Sequence, residues 1–138
     1  MIELVDINKL DELNEFLISN NLDKLYLSDF STNPFMKAFV YREINKIIGY
    51  INYSIIYDKA ELNQIIVAED YRKSGLGSKL LRYFLNDCKS CKDITLEVRK
   101  DNLPALKLYE KLGFKSVAVR KNYYGNTDGL LMIYKRGE

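Results

Sequence analysis

The spacing of apolar residues divides the first third of the chain into a strand, a helix and a less regular segment. A short apolar run at residues 2–5 predicts a strand, and the helical spacing that follows predicts an amphipathic helix over residues 7–17. Asp6 is the predicted N-cap of this helix. Residues 22–34 have weak periodicity, and both a second short helix and a lid-like loop remain open for them.

The middle of the chain has the alternating pattern of extended structure. Residues 38–42, 47–57 and 62–67 predict three strands that follow one another as a meander. Within the second strand, Ile47, Ile51, Ile55 and Tyr57 are predicted to share one face of the sheet. The third strand leads within a few residues into a glycine-containing segment.

The second half alternates clear helical and extended patterns, with Asn102 as the predicted N-cap of its second helix. The predicted elements are a helix over 76–88, a strand over 94–99, a helix over 104–112, and strands over 114–123 and 130–135. Strands alternating with helices predict an α/β fold, with a mixed sheet that carries helices on its faces. The 138 residues fit a single domain, residues 1–138.

Composition narrows the class of protein. Hydrophobic residues make up 47% and charged residues 29%, which is typical of a globular protein and argues against disorder. The net charge of +2 is spread along the chain, so direct nucleic-acid binding is not expected. The N-terminal segment is too acidic for a signal peptide, and no apolar run reaches membrane-spanning length. We therefore expect a cytoplasmic protein that does not bind membranes.

Histidine is absent, which excludes Ser-His-Asp and Cys-His catalysis and leaves carboxylate, Lys, Tyr, Cys or water as a base. Cys88 and Cys91 form a C-x-x-C pair, but without histidine or a second cysteine pair they do not make a zinc site. The pair also ends a helical pattern, whereas reactive thiols favour helix N-termini. We expect ordinary cysteines and no metal.

A glycine-containing segment, R-x-x-G-x-G from Arg72 to Gly77, joins a predicted strand to a predicted helix. Glycines there let backbone amides point at an anion near the positive end of the helix, as a pyrophosphate site requires. A glycine turn without a ligand is an equally good interpretation of the spacing alone. A dinucleotide fingerprint would need a third glycine where Leu80 stands, and a P-loop would need Gly-Lys-Ser/Thr, so NAD and ATP are disfavoured.

A second group of polar residues follows on the next strand and helix. Glu97 alternates with Leu96 and Val98, so its carboxylate is predicted to face away from theirs. This carboxylate could take part in chemistry or form a structural ion pair with an arginine. Tyr109 could be a functional phenol or could simply pack in the core. Asn102 could be no more than a helix cap.

These residues together resemble the GNAT superfamily of N-acetyltransferases. The matching motifs are R-x-x-G-x-G before a helix and L-E-V-R-x-x-N-x-x-A-x-x-L-Y-x-x-L-G-F over residues 96–114. The chain is most similar to the RimI-type ribosomal-protein-alanine N-acetyltransferases, which also share R-x-x-Y-Y at residues 120–124 and D-x-x-x-M at residues 128–132. The resemblance covers residues 44–132; residues 22–34, which help form the acceptor groove in such enzymes, are not recognisably RimI-like.

The resemblance implies a fold, a cosubstrate and a set of site residues. The fold would be a mixed, mostly antiparallel sheet of about seven strands with about four helices, splayed between strands 62–67 and 94–99. Acetyl-CoA would occupy the splay, and no metal would be needed. The residues expected to bind it are Ile65, Ile66, Val67, Arg72, Lys73, Ser74, Gly75, Leu76, Gly77, Ser78, Asn102 and Tyr109.

By the same resemblance, Glu97 would act as general base and Tyr109 as general acid in direct transfer of acetyl to a protein N-terminus. Tyr123 and Tyr124 would line the peptide entrance, and the protein would be a monomer or homodimer. Two other interpretations stay open: a GNAT enzyme acting on a small amine such as a polyamine, amino acid or aminoglycoside, and a non-catalytic acetyl-CoA-binding module.

Overall fold

The computed structural model describes residues 1–134, in which seven strands and four helices follow one another in the order that the sequence predicts. A 3-10 turn at Glu69–Tyr71 precedes the third helix. The elements are β1 (Ile2–Leu4), α1 (Leu10–Ser19), α2 (Leu27–Thr32), β2 (Met36–Glu43), β3 (Lys46–Ile56), β4 (Lys59–Val67), α3 (Leu76–Asp87), β5 (Asp93–Arg99), α4 (Leu103–Lys111), β6 (Phe114–Arg120) and β7 (Gly129–Tyr134).

The strands form one mixed sheet in the order β1-β2-β3-β4-β5-β7-β6. Every neighbouring pair is antiparallel except β4 and β5, which run parallel. These two strands pair only from Lys59–Asp93 to Leu62–Leu96, and β5 continues to Arg99 paired with β7 alone. The predicted splay is therefore confirmed, and it opens immediately after the rung that joins Leu62 and Leu96.

Helices cover both faces of the sheet, and the larger core lies under α3 and α4. Leu80, Leu81 and Phe84 of α3 are fully buried there against the inward residues of β3, β4 and β5. Gly49 of β3 lets α3 approach closely, because a Cβ at this position would lie 3.1 Å from Leu80 Cδ1. A smaller core lies on the opposite face, under α1, around Leu17 and Tyr50.

The structure corrects several predicted details. Asp6 is not the N-cap of α1, which begins at Leu10 after Lys9 without a side-chain cap; Asp6 instead accepts the amide of Asn8 in the preceding turn. Tyr57 does not share a face with the isoleucines of β3: it lies in the β3–β4 turn with φ of 57° and is 94% exposed. Ile47 is also on the other face from Ile51, because it packs in the smaller core beyond a register shift between β2 and β3.

The uncertain segment 22–34 contains the six-residue helix α2. The strand predicted over 114–123 ends at Arg120, and Lys135 of the predicted last strand lies outside the described residues. The longest helix within residues 1–134 has 12 residues, too few to cross a bilayer, and none is apolar enough to do so.

Candidate active site

The predicted anion-binding segment forms a loop between β4 and α3 with two left-handed positions, Lys73 at φ 64° and Gly75 at φ 86°. A non-glycine residue rarely adopts such a φ, so the loop shape is specific. Gly75 is needed for its positive φ and not for lack of space, because a Cβ there would meet only open space. Gly77 is needed for space, because its Cβ would lie 3.2 Å from Leu108 Cδ2 of α4. The two glycines therefore have different structural roles.

Two polar side chains of this loop hold its shape. Arg72 Nε donates to the carbonyl of Val67 at 3.1 Å, and Ser74 Oγ donates to the carbonyl of Tyr71. The first turn of α3 contains no acidic residue and no side-chain cap. Because the first amides of a helix lack partners within the helix, those of Leu76, Gly77 and Ser78 can bind an external anion.

Residues Ile65, Ile66 and Val67 lie beside this loop at the splayed end of β4. On one side they pair with Ile51, Tyr50 and Gly49 of β3. On the other side β4 and β5 do not pair beyond Leu62. The backbone groups of β4 that face β5 in this stretch can therefore bind an extended ligand, as the exposed edge of a sheet binds a peptide.

Glu97 is the first residue of β5 beyond the paired rungs, and it faces away from the large core, as predicted. Its Oε1 lies 2.9 Å from Nε of Arg120 in β6, so the structural ion pair considered from the sequence is present. Its Oε2 is buried and has no hydrogen-bond partner among residues 1–134. The glutamate side chain is 19% exposed and that of Arg120 is 51% exposed. One carboxylate oxygen is thus held by an arginine, and the other is buried without a hydrogen-bond partner among residues 1–134.

Tyr109 lies on α4 and is 6% exposed. Its ring packs edge-on against Phe114 with centroids 5.9 Å apart, so the core-packing interpretation is also correct. Burial raises the pKa of its phenol to about 12, and the charge of Tyr124 contributes in the same direction. The pKa of Tyr124 is itself raised, by burial first and then by the charge of Glu97. Tyr124 therefore lies close to both Glu97 and Tyr109.

Tyr123 and Tyr124 sit in the β6–β7 loop and pack against Gly129, with their rings edge-on at 5.0 Å. A Cβ at Gly129 would lie 3.1–3.2 Å from both side chains, so no larger residue fits under them. Gly129 pairs with Arg99 on one side and with Arg120 on the other. Arg99 lies 5.4 Å from the Tyr124 ring centroid and Arg120 lies 5.5 Å from that of Tyr123. A row of arginine, glycine and arginine therefore supports the two tyrosines.

Asn102 caps α4, as predicted, and its side-chain oxygen accepts the amide of Ala105 at 3.3 Å. Cys88 and Cys91 are buried in the large core at the end of α3. Residues 1–134 contain no group of three or more side chains from Cys, Asp and Glu that could hold a metal ion.

Sequence reasoning missed Arg120 as the partner of Glu97 and Gly129 as the support of the tyrosines. Both residues lie in the quoted motifs, but their contacts cross β7, and only the sheet order β5-β7-β6 brings them together. A glycine opening a strand directly after a polar loop was the available signal at position 129.

An open groove of about 630 Å³ lies on the Glu97 face of the sheet. It is lined by Ser54, Glu61 and Asn63, and by Thr95 two positions before Glu97. The groove lies toward the beginning of β5 on this face, while the face of Leu96 is covered by helices.

Comparison with known proteins gives a consistent result. The sequence model described as the acetyltransferase (GNAT) family matches residues 3–114. A [ribosomal protein bS18]-alanine N-acetyltransferase of Escherichia coli K12 is 37% identical over 86 residues, which cover 61% of this chain but only 58% of that protein's length. An N-alpha-acetyltransferase of Sulfurisphaera tokodaii is 30% identical over 94% of this chain and 87% of its own.

The fold agrees with a solved structure. The crystal structure of the ribosomal-protein-S18-alanine N-acetyltransferase from Escherichia coli superposes with a TM-score of 0.83 at 26% identity. The superposition covers 100% of this chain and 96% of that one. The structural similarity therefore includes residues 1–43, which lie outside the range of the motif resemblance.

Proposed function

The chain belongs to the acetyltransferase (GNAT) family, and from this premise we propose that it transfers acetyl from acetyl-CoA to a primary amine, by preference the N-terminal α-amine of a protein. The observation that carries the proposal is Glu97, a carboxylate at the start of the splay with one buried oxygen that has no hydrogen-bond partner among residues 1–134. The relatives named as alanine N-acetyltransferase and N-alpha-acetyltransferase support an α-amine acceptor.

The residues present fit acetyl-CoA. The amides of Leu76, Gly77 and Ser78 at the N-terminus of α3 would bind the pyrophosphate, with Lys73 nearby as a counter-charge. The shape of this loop depends on Arg72, Ser74 and Gly75, which therefore serve the cosubstrate indirectly.

The pantetheine arm would extend along β4. The backbone of Ile65, Ile66 and Val67 would pair with it through the groups that β5 leaves without a strand partner. Asn102 would contact the cosubstrate near the reacting end, although its side-chain oxygen also caps α4. In this proposal the thioester would lie in the splay, with Glu97 and Tyr109 as the base and acid on either side of it.

Acetyl transfer then needs no covalent enzyme intermediate. The amine nitrogen attacks the thioester carbonyl carbon, a C–N bond forms, and the C–S bond breaks. Glu97 Oε2 takes the proton that the amine loses, directly or through a water molecule. Tyr109 donates its phenol proton to the departing CoA thiolate. Solvent then returns a proton to Tyr109 and takes up the proton held by Glu97, which resets both residues.

Protonation supports these roles. A phenol with a pKa of about 12 is protonated at neutral pH, so Tyr109 can donate a proton but cannot serve as a base. An α-amine titrates near ~8 and a lysine amine near ~10.4, so a carboxylate base suffices more readily for an N-terminus.

The acceptor would approach from the Glu97 face, where the groove opens and where Tyr123 and Tyr124 are supported. Tyr123 is 51% exposed and can contact a peptide backbone. Tyr124 is half-buried and lies closer to the reacting groups. Aromatic side chains are common in such contacts because they offer a large area at low entropic cost.

A mass-spectrometric assay with acetyl-CoA tests the proposal. The acceptors would be peptides that vary in the first residue, matched N-terminally blocked peptides, lysine-bearing controls and free polyamines. We expect acetylation only of free peptide N-termini. Acetylation of polyamines alone would keep the acetyl transfer and overturn the acceptor class. Binding of acetyl-CoA without turnover on any amine would instead indicate a non-catalytic module.

A further inference from the structure

Arg120 forms an ion pair that the packing of the core does not explain. It lies at the end of β6, an edge strand, with its side chain half exposed, and it reaches across β7 to Glu97. An ion pair whose arginine is half exposed is screened by water, so stability alone is a weak reason for this contact. The contact nevertheless determines which oxygen of Glu97 is bound by an arginine and which is not.

We propose that Arg120 is a positioning residue: it binds Glu97 Oε1 so that Oε2, the unpartnered oxygen, is the one presented to the acceptor amine or its water. This inference rests on the proposed function, in which Glu97 is the base. Arg120 is not a catalytic residue in this arrangement, because it acts through Glu97 and not on the substrate.

The geometry supports the assignment in two ways. A guanidinium binding both carboxylate oxygens would compete with the acceptor, but Arg120 uses Nε on Oε1 at 2.9 Å and leaves Oε2 without a partner among residues 1–134. A buried unpartnered carboxylate oxygen is unfavourable, which is consistent with a group whose partner is the substrate.

Contacts with neighbouring residues also restrict the position of Arg120. Its guanidinium lies over the Tyr123 ring, and Tyr123 packs on Gly129, which pairs with Arg120 in the neighbouring strand. An exposed side chain in water would otherwise sample many rotamers. Gly129, Tyr123 and Arg120 therefore form a continuous support that ends at Glu97 Oε1.

The test is a double-mutant cycle of Arg120→Met and Glu97→Gln, measured as kcat and KM with acetyl-CoA and a peptide that the wild-type protein acetylates. We expect Arg120→Met to lower kcat about tenfold, equivalent to one charged contact, with KM for acetyl-CoA unchanged. Arg120→Lys, which keeps the charge, should recover part of the loss. In the Glu97→Gln background, Arg120→Met should change kcat less than about twofold, because the group it positions is already inactive.

Arg99→Met is the matched control, since Arg99 carries the same charge, lies over the neighbouring Tyr124 ring and pairs with the same Gly129, but its ion pair is with Asp101. Its effect on kcat should be the same with Glu97 or with glutamine at position 97. Equal losses from Arg120→Met in both backgrounds would overturn the inference, as would wild-type kcat in Arg120→Met. Wild-type kcat in Glu97→Gln alone would instead remove the base assignment. Thermal unfolding of each variant shows whether the fold is retained.

Discussion

Leu96 and Glu97 are neighbours on β5, yet they belong to different environments. Leu96 is 1% exposed and forms the last rung with Leu62 before the two parallel strands separate. Glu97 is the first residue past that rung, and it points to the other face, where Arg120 and Tyr124 lie. Leu96 therefore ends the pairing of β4 with β5, and Glu97 begins the candidate site.

The pleat of the strand explains the difference. Successive side chains point to opposite faces, so Leu96 and Val98 enter the core under α3 and α4. On the opposite face lie the mostly buried Glu97 and the half-exposed Arg120 and Tyr123. Core packing is concentrated on one face of β5 and the candidate base lies on the other, which the following substitutions can test.

The largest expected effect is that of Glu97→Gln on turnover. Glutamine keeps the shape and an oxygen for Arg120 but cannot take a proton, so kcat should fall roughly 10²- to 10⁴-fold. Binding of acetyl-CoA and the thermal midpoint should stay close to wild type, because the large core is untouched. Steady-state kinetics and calorimetric titration measure this; turnover near wild type would show that Glu97 is not the base.

Leu96→Ala should mainly lower the stability of the fold. Removing a buried leucine from the core should lower the free energy of unfolding by about 2–5 kcal/mol. Chemical denaturation measures the loss, and Thr95→Ala on the half-buried opposite face is the control, for which a much smaller loss is expected. Equal losses in the two variants would contradict the separation of the faces.

Tyr109 is packed in the large core and is also the proposed general acid, so Tyr109→Phe should alter both turnover and stability. Turnover should fall roughly tenfold, less than at Glu97 because water can supply the proton. The raised pKa of the buried phenol also stabilises the folded protein below pH 10, and this contribution is lost as the pH rises from 10 to about 12. The wild type should therefore lose roughly 1.4 kcal/mol more than the phenylalanine variant by pH 11, one unit above the unfolded-state value.

Urea denaturation between pH 9 and pH 11 measures the difference between wild type and Tyr109→Phe. Tyr50→Phe is the matched comparison, since its phenol is also buried with a pKa of about 12 but lies in the smaller core, away from β5. It should show the same pH dependence with wild-type turnover. Loss of turnover in Tyr50→Phe would mean that disturbed packing explains both variants.

The smallest expected effect is that of Gly129→Ala. The new methyl group would meet both tyrosine side chains at 3.1–3.2 Å and displace them from the sheet. We expect KM for the peptide to rise roughly threefold, about 0.7 kcal/mol of binding, with acetyl-CoA binding unchanged. Gly125→Ala strains the same loop at φ 81° without touching the rings, so an equal rise there would assign the effect to backbone strain.

Much of the fold follows from local patterns. The alternation of Leu96 and Val98 with Glu97 predicted two different faces of β5, and the structure confirms it. Local signals failed where the residue type suits more than one local structure. Asp6 is a residue type that commonly caps helices, but its carboxylate stabilises the turn before α1 instead. Tyr57 continues the apolar alternation of β3, but the chain already turns there.

The sequence by itself determined the order of the elements, the glycine loop and the identity of Glu97 and Tyr109 as candidates, because each depends on residues close together in the chain. Only the tertiary structure decided which oxygen of Glu97 is available, what supports Tyr123 and Tyr124, and why Gly129 is a glycine. Those features depend on β7 lying between β5 and β6. Contacts across a sheet join residues that are far apart in sequence, and no local periodicity encodes them.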